Sequence, residues 1–234
     1  MVMKHGPVLP YSVVAGVSPW GRRWVVASAK ITGSVFAPEP PIVYHSFQDV
    51  LDEHPAFAAV VVFSPIGYAE DRASGLRRCD QAARDLLGRR AMTVRRVPTR
   101  ATLVDHGDAR IDHLDAVTMM RLPSMVEVAG EMSPYRQRQV YEGHPELSFY
   151  FLNGDRPLHF SKARQSGRDE RRALLVEKVR GVEKITDSTL APTRVLLDAA
   201  ALLFSARRVF LHAAKRLPDE AEWDSEGLRM EIIY

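Results

Sequence analysis

The stretch that most constrains the fold is the apolar run AFAAVVVF at residues 56–63. Its length and its valines predict a β-strand buried on both faces, because a half-exposed strand would alternate apolar and polar residues. Such a strand belongs inside a sheet that is covered on both sides. The turn signal SPIG follows at 64–67 and predicts a loop directly after the strand.

The rest of the chain alternates strand and helix patterns without a linker or an internal repeat, which predicts one α/β domain over residues 1–234. Ser18, Pro19 and Gly21 supply the turn of a predicted hairpin. Gly88 and Pro123 are expected to end helices. The predicted strands are 11–17, 23–29, 42–46, 125–129 and 229–234. The predicted helices are 47–53, 72–87, 110–122, 166–180 and 194–217, with a proline-rich loop at 34–41.

Composition restricts the compartment and the partners. Cys79 is the only cysteine, so no internal disulfide can form, and the sequence offers neither a signal peptide nor a membrane span, which together predict a cytoplasmic protein without a membrane partner. The formal net charge of +3 permits nucleic-acid binding without requiring it. Basic clusters at 22–23, 89–96 and 162–172 are either solvated faces or surfaces that follow phosphates.

Several classes of enzyme are excluded by missing motifs. The sequence has no glycine-rich phosphate loop, no cysteine spacing for zinc and no G-x-S-x-G nucleophile turn. The remaining candidates are carboxylates in apolar segments, where burying a charge costs free energy. Asp198 interrupts an apolar helix, and Arg194 lies four residues earlier, so either a salt bridge or a metal would compensate its burial.

The segment YEGHPELSF at 141–149 places two carboxylates and an imidazole within five residues. Pro145 biases His144 toward an extended backbone, which would direct Glu142 and His144 to one side, with Glu146 close behind. This trio could hold a metal or serve as acid and base, although similar trios also occur on surfaces.

The sequence resembles the family called domain of unknown function 429, which is regarded as a family of predicted nucleases with a ribonuclease-H-like fold. Eight segments carry the resemblance: AGVSPWGRRWVVA at 15–27, VVVFSPIGYAE at 60–70, RRCDQAARDLLGRR at 77–90, MVEVAGEM at 125–132, VYEGHPELSFYFLNG at 140–154, PLHFSKARQSGRDERRALL at 157–175, LLDAAALLFSA at 196–206 and EGLRMEIIY at 226–234. The glutamate-histidine-proline-glutamate string is the most specific of them.

This resemblance implies a mixed sheet flanked by helices, with acidic residues at strand ends and at the start of a late helix. Such residues would hold one or two Mg²⁺ or Mn²⁺ ions that activate water for phosphodiester cleavage. Glu142 and Asp198 are the metal ligands that the resemblance leaves in this chain. The candidate catalytic residues are Ser18, Ser64, Glu142, His144, Glu146 and Asp198.

The sequence departs from the family's usual acidic residues at four places. Ser18, Ser64 and Ala129 stand where aspartate is usual, and Arg194-Val195 stands at an acidic pair. A hydroxyl cannot replace a carboxylate at a divalent ion, so the sequence favours a degenerate member with weak or no nuclease activity that binds nucleic acid or protein. In that case Arg194 is expected to reach Asp198 and take the charge role of the ion.

Two alternatives stay open. The chain is an active nuclease that uses Glu142, Asp198 and other ligands from Asp105, Asp108 or Asp112, or a repurposed enzyme with Ser18 or His144 in a new role. The resemblance also predicts that Ser18, Ser64, Glu142 and Asp198 converge. Glu142 or Glu146 is expected to be partly buried and bonded to a backbone amide, an arginine or His144. Trp20 and Trp24 are either base-stacking residues or a turn residue and a core residue.

Overall fold

The computed structural model describes residues 10–70, 76–104 and 114–234. The strands of the described chain are β1 (Ser12–Trp20), β2 (Arg23–Thr32), β3 (Val35–Pro38), β4 (Ile42–Tyr44), β5 (Phe57–Val62), β6 (Val140–Glu142), β7 (Arg216–Trp223) and β8 (Arg229–Ile233). The α-helices are α1 (Phe47–Leu51), α2 (Arg78–Leu87), α3 (Arg100–Val104), α4 (Ala116–Glu131), α5 (Pro145–Leu152), α6 (Gln165–Lys178), α7 (Glu183–Thr186) and α8 (Thr193–Phe210).

The main sheet is mixed and has the order β3-β2-β1-β5-β6, with β4 also paired to β2. β1 and β2 form the predicted antiparallel hairpin, whereas β5 runs parallel to both β1 and β6. The strands β7 and β8 form a separate two-stranded sheet. The prediction of a mixed sheet flanked by helices is therefore confirmed.

Both faces of the sheet are covered, as the apolar run at 56–63 predicts. Ala59 and Val61 pack in a core with α8, whereas Val60 and Val62 pack in a second core with Phe47 and other side chains from α1 and α4. This alternation follows from the two-residue period of a strand. It also assigns neighbouring strand residues to opposite faces, which decides where the candidate site residues lie.

The helix α8 approaches β1 closely because β1 carries Gly16 at the contact. A Cβ atom at Gly16 would lie 2.0 Å from the Leu203 nitrogen and 2.3 Å from the Ala199 oxygen, so only glycine permits this packing. Asp198 precedes Ala199 on α8, and Ser18 follows two residues after Gly16 on the same face of β1. The close packing therefore brings the start of α8 to the end of β1.

Four sequence-based predictions about elements are wrong. Residues 125–129 belong to α4 rather than to a strand, and Pro123 lies inside this helix instead of ending it. Leu122, Met125 and Val128 recur at a spacing of three and are buried, so tertiary burial selects the helical period there. Residues 34–41 contain β3, and the helix predicted over 194–217 ends at Phe210. No helix among the described residues is long and apolar enough to cross a bilayer.

Candidate functional site

A cleft of about 510 Å³ opens where β1 and β5 end and α8 begins. Five arginine or lysine side chains line it, against two carboxylates, Glu146 and Asp198. Pro19, Trp20, Val117 and Met120 add an apolar wall. The cleft is therefore positively charged on one part of its surface and apolar on another.

The floor of the cleft is made by Ser18 and by its neighbour on β5. The parallel register pairs Val17 with Val62, and the Phe63 N–H donates to the Val17 carbonyl at 2.8 Å. Continuing this register by one residue brings Phe63 beside Ser18, and both line the cleft. Ser18 is only 2% exposed, and its side chain is part of the cleft lining. The position next to Ser18 thus carries an aromatic ring.

Asp198 reaches the same cleft from α8 and pairs with Lys162, whose Nζ donates to Asp198 Oδ2 at 2.5 Å. Its other oxygen, Oδ1, is buried and has no partner in the described chain. Burial raises the pKa of Asp198 and Lys162 opposes this shift. The expectation that Arg194 pairs with Asp198 is wrong, because Arg194 is exposed at the cleft rim and lysine holds the carboxylate instead.

The loop that carries Lys162 is fixed by α6. The Glu170 carboxylate accepts the N–H groups of His159 and Phe160 at 2.8 and 3.0 Å. Arg168 donates to the carbonyl of Lys162 at 3.2 Å, and a Cβ atom at Gly167 would lie 2.1 Å from the Ser161 oxygen. Three residues of one helix therefore position this loop, so the ammonium group of Lys162 is delivered to Asp198 by a built element rather than by a free surface lysine.

Arg121 of α4 adds a second cation beside the same floor. Its guanidinium lies 3.9 Å from the centroid of the Phe63 ring, and Lys162 Nζ lies 5.6 Å from that centroid. Arg121 Nη2 donates to the Phe63 carbonyl at 2.7 Å, whereas its buried Nε has no partner among the residues that the structure describes. Burial lowers the pKa of Arg121 to about 10, so the group stays charged at neutral pH. No carboxylate among the described residues forms an ion pair with it.

Glu142 lies on the opposite face of the sheet from Asp198. It pairs with Val62 in the β5–β6 register, and Val62 faces the α4 side. Arg77 donates to both of its oxygens, at 2.6 and 2.9 Å, and the Ile66 N–H donates to Oε2 at 2.7 Å. Arg77 also pairs with Asp80, so one cation serves two buried carboxylates. Burial raises the pKa of Glu142 to about 7, and Arg77 limits this rise.

His144 caps α5 and uses both ring nitrogens. Nδ1 accepts the Glu146 N–H at 3.3 Å, and Nε2 lies 3.2 Å from the Thr93 carbonyl, which assigns the proton to Nε2. Burial lowers the pKa of His144 to about 4, so the ring is neutral at physiological pH. No ring nitrogen is left free to accept a proton from a ligand in the cleft.

Glu146 is held by two arginines. Arg171 Nη2 donates to one carboxylate oxygen at 2.6 Å, and Arg90 approaches the other at 3.4 Å. Burial opposes ionisation, but Arg171 prevails and holds the pKa of Glu146 below its usual value. Glu146 is therefore an ionised structural carboxylate in the wall of the cleft.

The predicted site residues are thus brought together only in part. Ser18, His144, Glu146 and Asp198 line the cleft, whereas Ser64 and Glu142 line a neighbouring cavity of about 30 Å³. Glu142 and Glu146 are both buried and hydrogen-bonded to arginines, as expected. Trp24 is a core residue, and Trp20 is half-buried at the cleft wall.

The family model described as "Protein of unknown function (DUF429)" matches residues 16–223. The chain belongs to this family. No curated protein matches the DUF429 chain. Among solved structures, the RuvC structure of Thermus thermophilus is similar at 17% identity, covers 87% of this chain and 98% of its own, and has a TM-score of 0.39. A similarity of this degree says nothing about what the DUF429 chain does.

The divalent ion that the family resemblance implies does not fit the residues present. Glu142 and Asp198 face opposite sides of the sheet, and both oxygens of Glu142 are occupied by Arg77. Phe63 stands beside Ser18, and Lys162 already holds Asp198. Among the described residues no group of three or more histidine, cysteine, aspartate or glutamate side chains could hold a metal ion. Asp105, Asp108 and Asp112 lie outside those residues.

Several residues that define this DUF429 cleft could not be predicted from the sequence. Lys162, Arg90 and Arg95 belong to two of the basic clusters and converge on it, which only the fold reveals. Phe63 is hidden in the apolar run before Ser64. Arg121 carries no sequence signal, because it is a single arginine in a segment without a charge cluster.

Proposed function

We propose that this protein binds the phosphate groups of nucleic acid in the cleft without hydrolysing them and without a divalent ion. The observation that carries the proposal is the ion pair of Lys162 with Asp198 at the place where a metal would be needed. A lysine ammonium supplies positive charge for a phosphate, and its three donors are not exhausted by one carboxylate oxygen.

Hydrolysis is not expected because nothing in the described cleft can activate water as a metal does. Among the described residues of the cleft, Asp198 is the only carboxylate with an oxygen free of hydrogen bonds, since Glu146 pairs with Arg90 and Arg171. His144 has both nitrogens in hydrogen bonds. A general base close to a bound phosphodiester is therefore restricted to Asp198, whose charge Lys162 already stabilises.

Nucleic acid is favoured over a protein partner by the charge of the cleft. Arg121 and Arg194 form no ion pair with a carboxylate among the described residues, and Arg121 is a half-buried cation whose charge an anion would stabilise. A phosphate backbone supplies such anions at regular spacing. The sequence leaves a protein partner equally open, but the clustered cations favour the phosphate. We also propose a cytoplasmic location, which the free and buried Cys79 supports.

The test is binding and cleavage of short fluorescein-labelled single-stranded oligonucleotides. Anisotropy measures affinity in EDTA and in Mg²⁺, and gel electrophoresis of the same samples measures cleavage. We expect the same affinity in both buffers and no cleavage in either. Lys162→Gln should weaken binding by about tenfold and reduce the salt dependence by about one phosphate contact.

The matched control is Lys178→Gln, which removes the same charge from an exposed lysine paired with Glu177 outside the cleft. This control should bind as the unmodified protein does. Cleavage that requires Mg²⁺ would overturn the proposal in favour of an active nuclease. Equal weakening by both lysine variants would show that only the net charge of the protein matters. It would contradict the proposal that nucleic acid binds in the cleft.

A further inference from the structure

The cleft holds an acceptor that a phosphate cannot satisfy. Asp198 is 5% exposed, Lys162 occupies its Oδ2, and its Oδ1 has no donor within the described chain. Buried carboxylate oxygens are nearly always hydrogen-bonded in folded proteins. A phosphodiester carries no proton at neutral pH and would be repelled by this oxygen. The group that reaches Asp198 must therefore bring an O–H or N–H donor.

Ser18 adds a second polar group at the same end of the cleft. Its hydroxyl can donate or accept a hydrogen bond. Together, Ser18 and Asp198 form a small polar corner beside the cations Arg121 and Lys162. A ligand that fits must carry a hydroxyl and an anion only a few bonds apart.

The other wall of the cleft is apolar and suits a base. Trp20 is half-buried with the Arg23 guanidinium 4.0 Å from its ring centroid, and Met120 is 72% exposed beside the cleft. In a duplex, base pairing hides the edge of a base and stacking on its neighbours hides its face. A base can therefore lie against such an apolar wall only when it is unpaired. The volume of about 510 Å³ lies in the range of sites that hold one small molecule.

We infer that the cleft takes one unpaired nucleotide of an RNA strand, with the ribose 2′-hydroxyl donating to Asp198 Oδ1 and the adjacent phosphate on Arg121 and Lys162. Inside a polynucleotide, the 3′ and 5′ oxygens are esterified and the ring oxygen carries no proton, so the 2′-hydroxyl is the only sugar donor, and DNA lacks it. This inference rests on the proposed function and adds a preference for RNA to it.

The test compares three labelled adenosine oligonucleotides of equal length by anisotropy in EDTA: RNA, DNA and a 2′-fluoro strand. The 2′-fluoro strand resembles RNA in sugar pucker but has no donor at the 2′ position. We expect RNA to bind about tenfold more tightly than either other strand, as one hydrogen bond to a charged group provides. Asp198→Ala should bring the RNA to DNA affinity ratio close to one.

Ser18→Ala provides a second variant in case Asp198→Ala fails to fold, and it should reduce the same ratio. Equal affinity of RNA and DNA for the unmodified protein would overturn the inference and leave the proposed function intact. A 2′-fluoro strand that binds as RNA does would also overturn it, because the donor would then lie elsewhere. Failure of all three strands to bind would overturn the proposed function itself.

Discussion

Glu142→Gln distinguishes a structural carboxylate from a metal ligand, because the two roles predict opposite effects on stability. In the structure Glu142 accepts three hydrogen bonds, two from Arg77 and one from the Ile66 N–H. Glutamine offers one acceptor oxygen, and its amide N–H₂ would face a donor. The substitution therefore loses at least one bond to a charged group inside the protein, for a cost of about 2–4 kcal/mol in the free energy of unfolding.

The raised pKa of Glu142 favours the lower half of this range, since part of the cost of burying its charge disappears with the charge. For a domain of this size the loss corresponds to a fall in Tm of roughly 5–15 °C. Urea unfolding followed by circular dichroism measures it. The control is Glu177→Gln, whose exposed carboxylate pairs with Lys178 and should matter by less than about 0.5 kcal/mol. Unchanged or increased stability of Glu142→Gln would refute the structural role.

Two further predictions follow from the packing. The ring of His144 should titrate near pH 4 by NMR. In the unfolded chain the same ring takes up its proton near pH 6.5. The neutral, buried His144 therefore stabilises the fold fully above pH 6.5, and this stabilisation is lost as the pH falls toward 4. A His144 signal that titrates near 6.5 would contradict the burial of both nitrogens. Gly16→Ala should prevent soluble folding because its Cβ would overlap the backbone of α8, whereas Gly130→Ala in α4, with open space around it, should stabilise by about 0.5 kcal/mol. Expression tests and urea unfolding check this pair, and a stable Gly16→Ala protein would refute the close approach.

The sequence predicts the central strands β1, β2 and β5 because their signals are local, but it does not predict β3, β6 or β7. The hairpin of β1 and β2 and the apolar β5 depend on turn residues and on runs of valine. The string MVEVA has the same local appearance, yet it is helical because Leu122, Met125 and Val128 bury one side of α4. Such a choice between periods is decided by tertiary burial, which a short window does not contain.

The approximate location of the site could be predicted, but the pairing of its side chains could not. The family resemblance implies that Ser18 and Asp198 meet, because it places site residues at strand ends and at the start of a late helix. It does not indicate that Glu142 points to the other face, since this depends on the pairing of Val62 with Glu142. The pairing of Asp198 with Lys162 rather than Arg194 depends on a loop that Glu170 and Arg168 shape.

The most direct test of the central claim is calorimetric titration of the unmodified protein with Mn²⁺ at neutral pH. Lys162 neutralises Asp198 and two arginines hold Glu146, so no site for a divalent ion remains in the described cleft. We therefore expect no saturable binding of Mn²⁺. Saturable binding at one or two ions per chain that Asp198→Ala abolishes would contradict the account and restore a metal-dependent site.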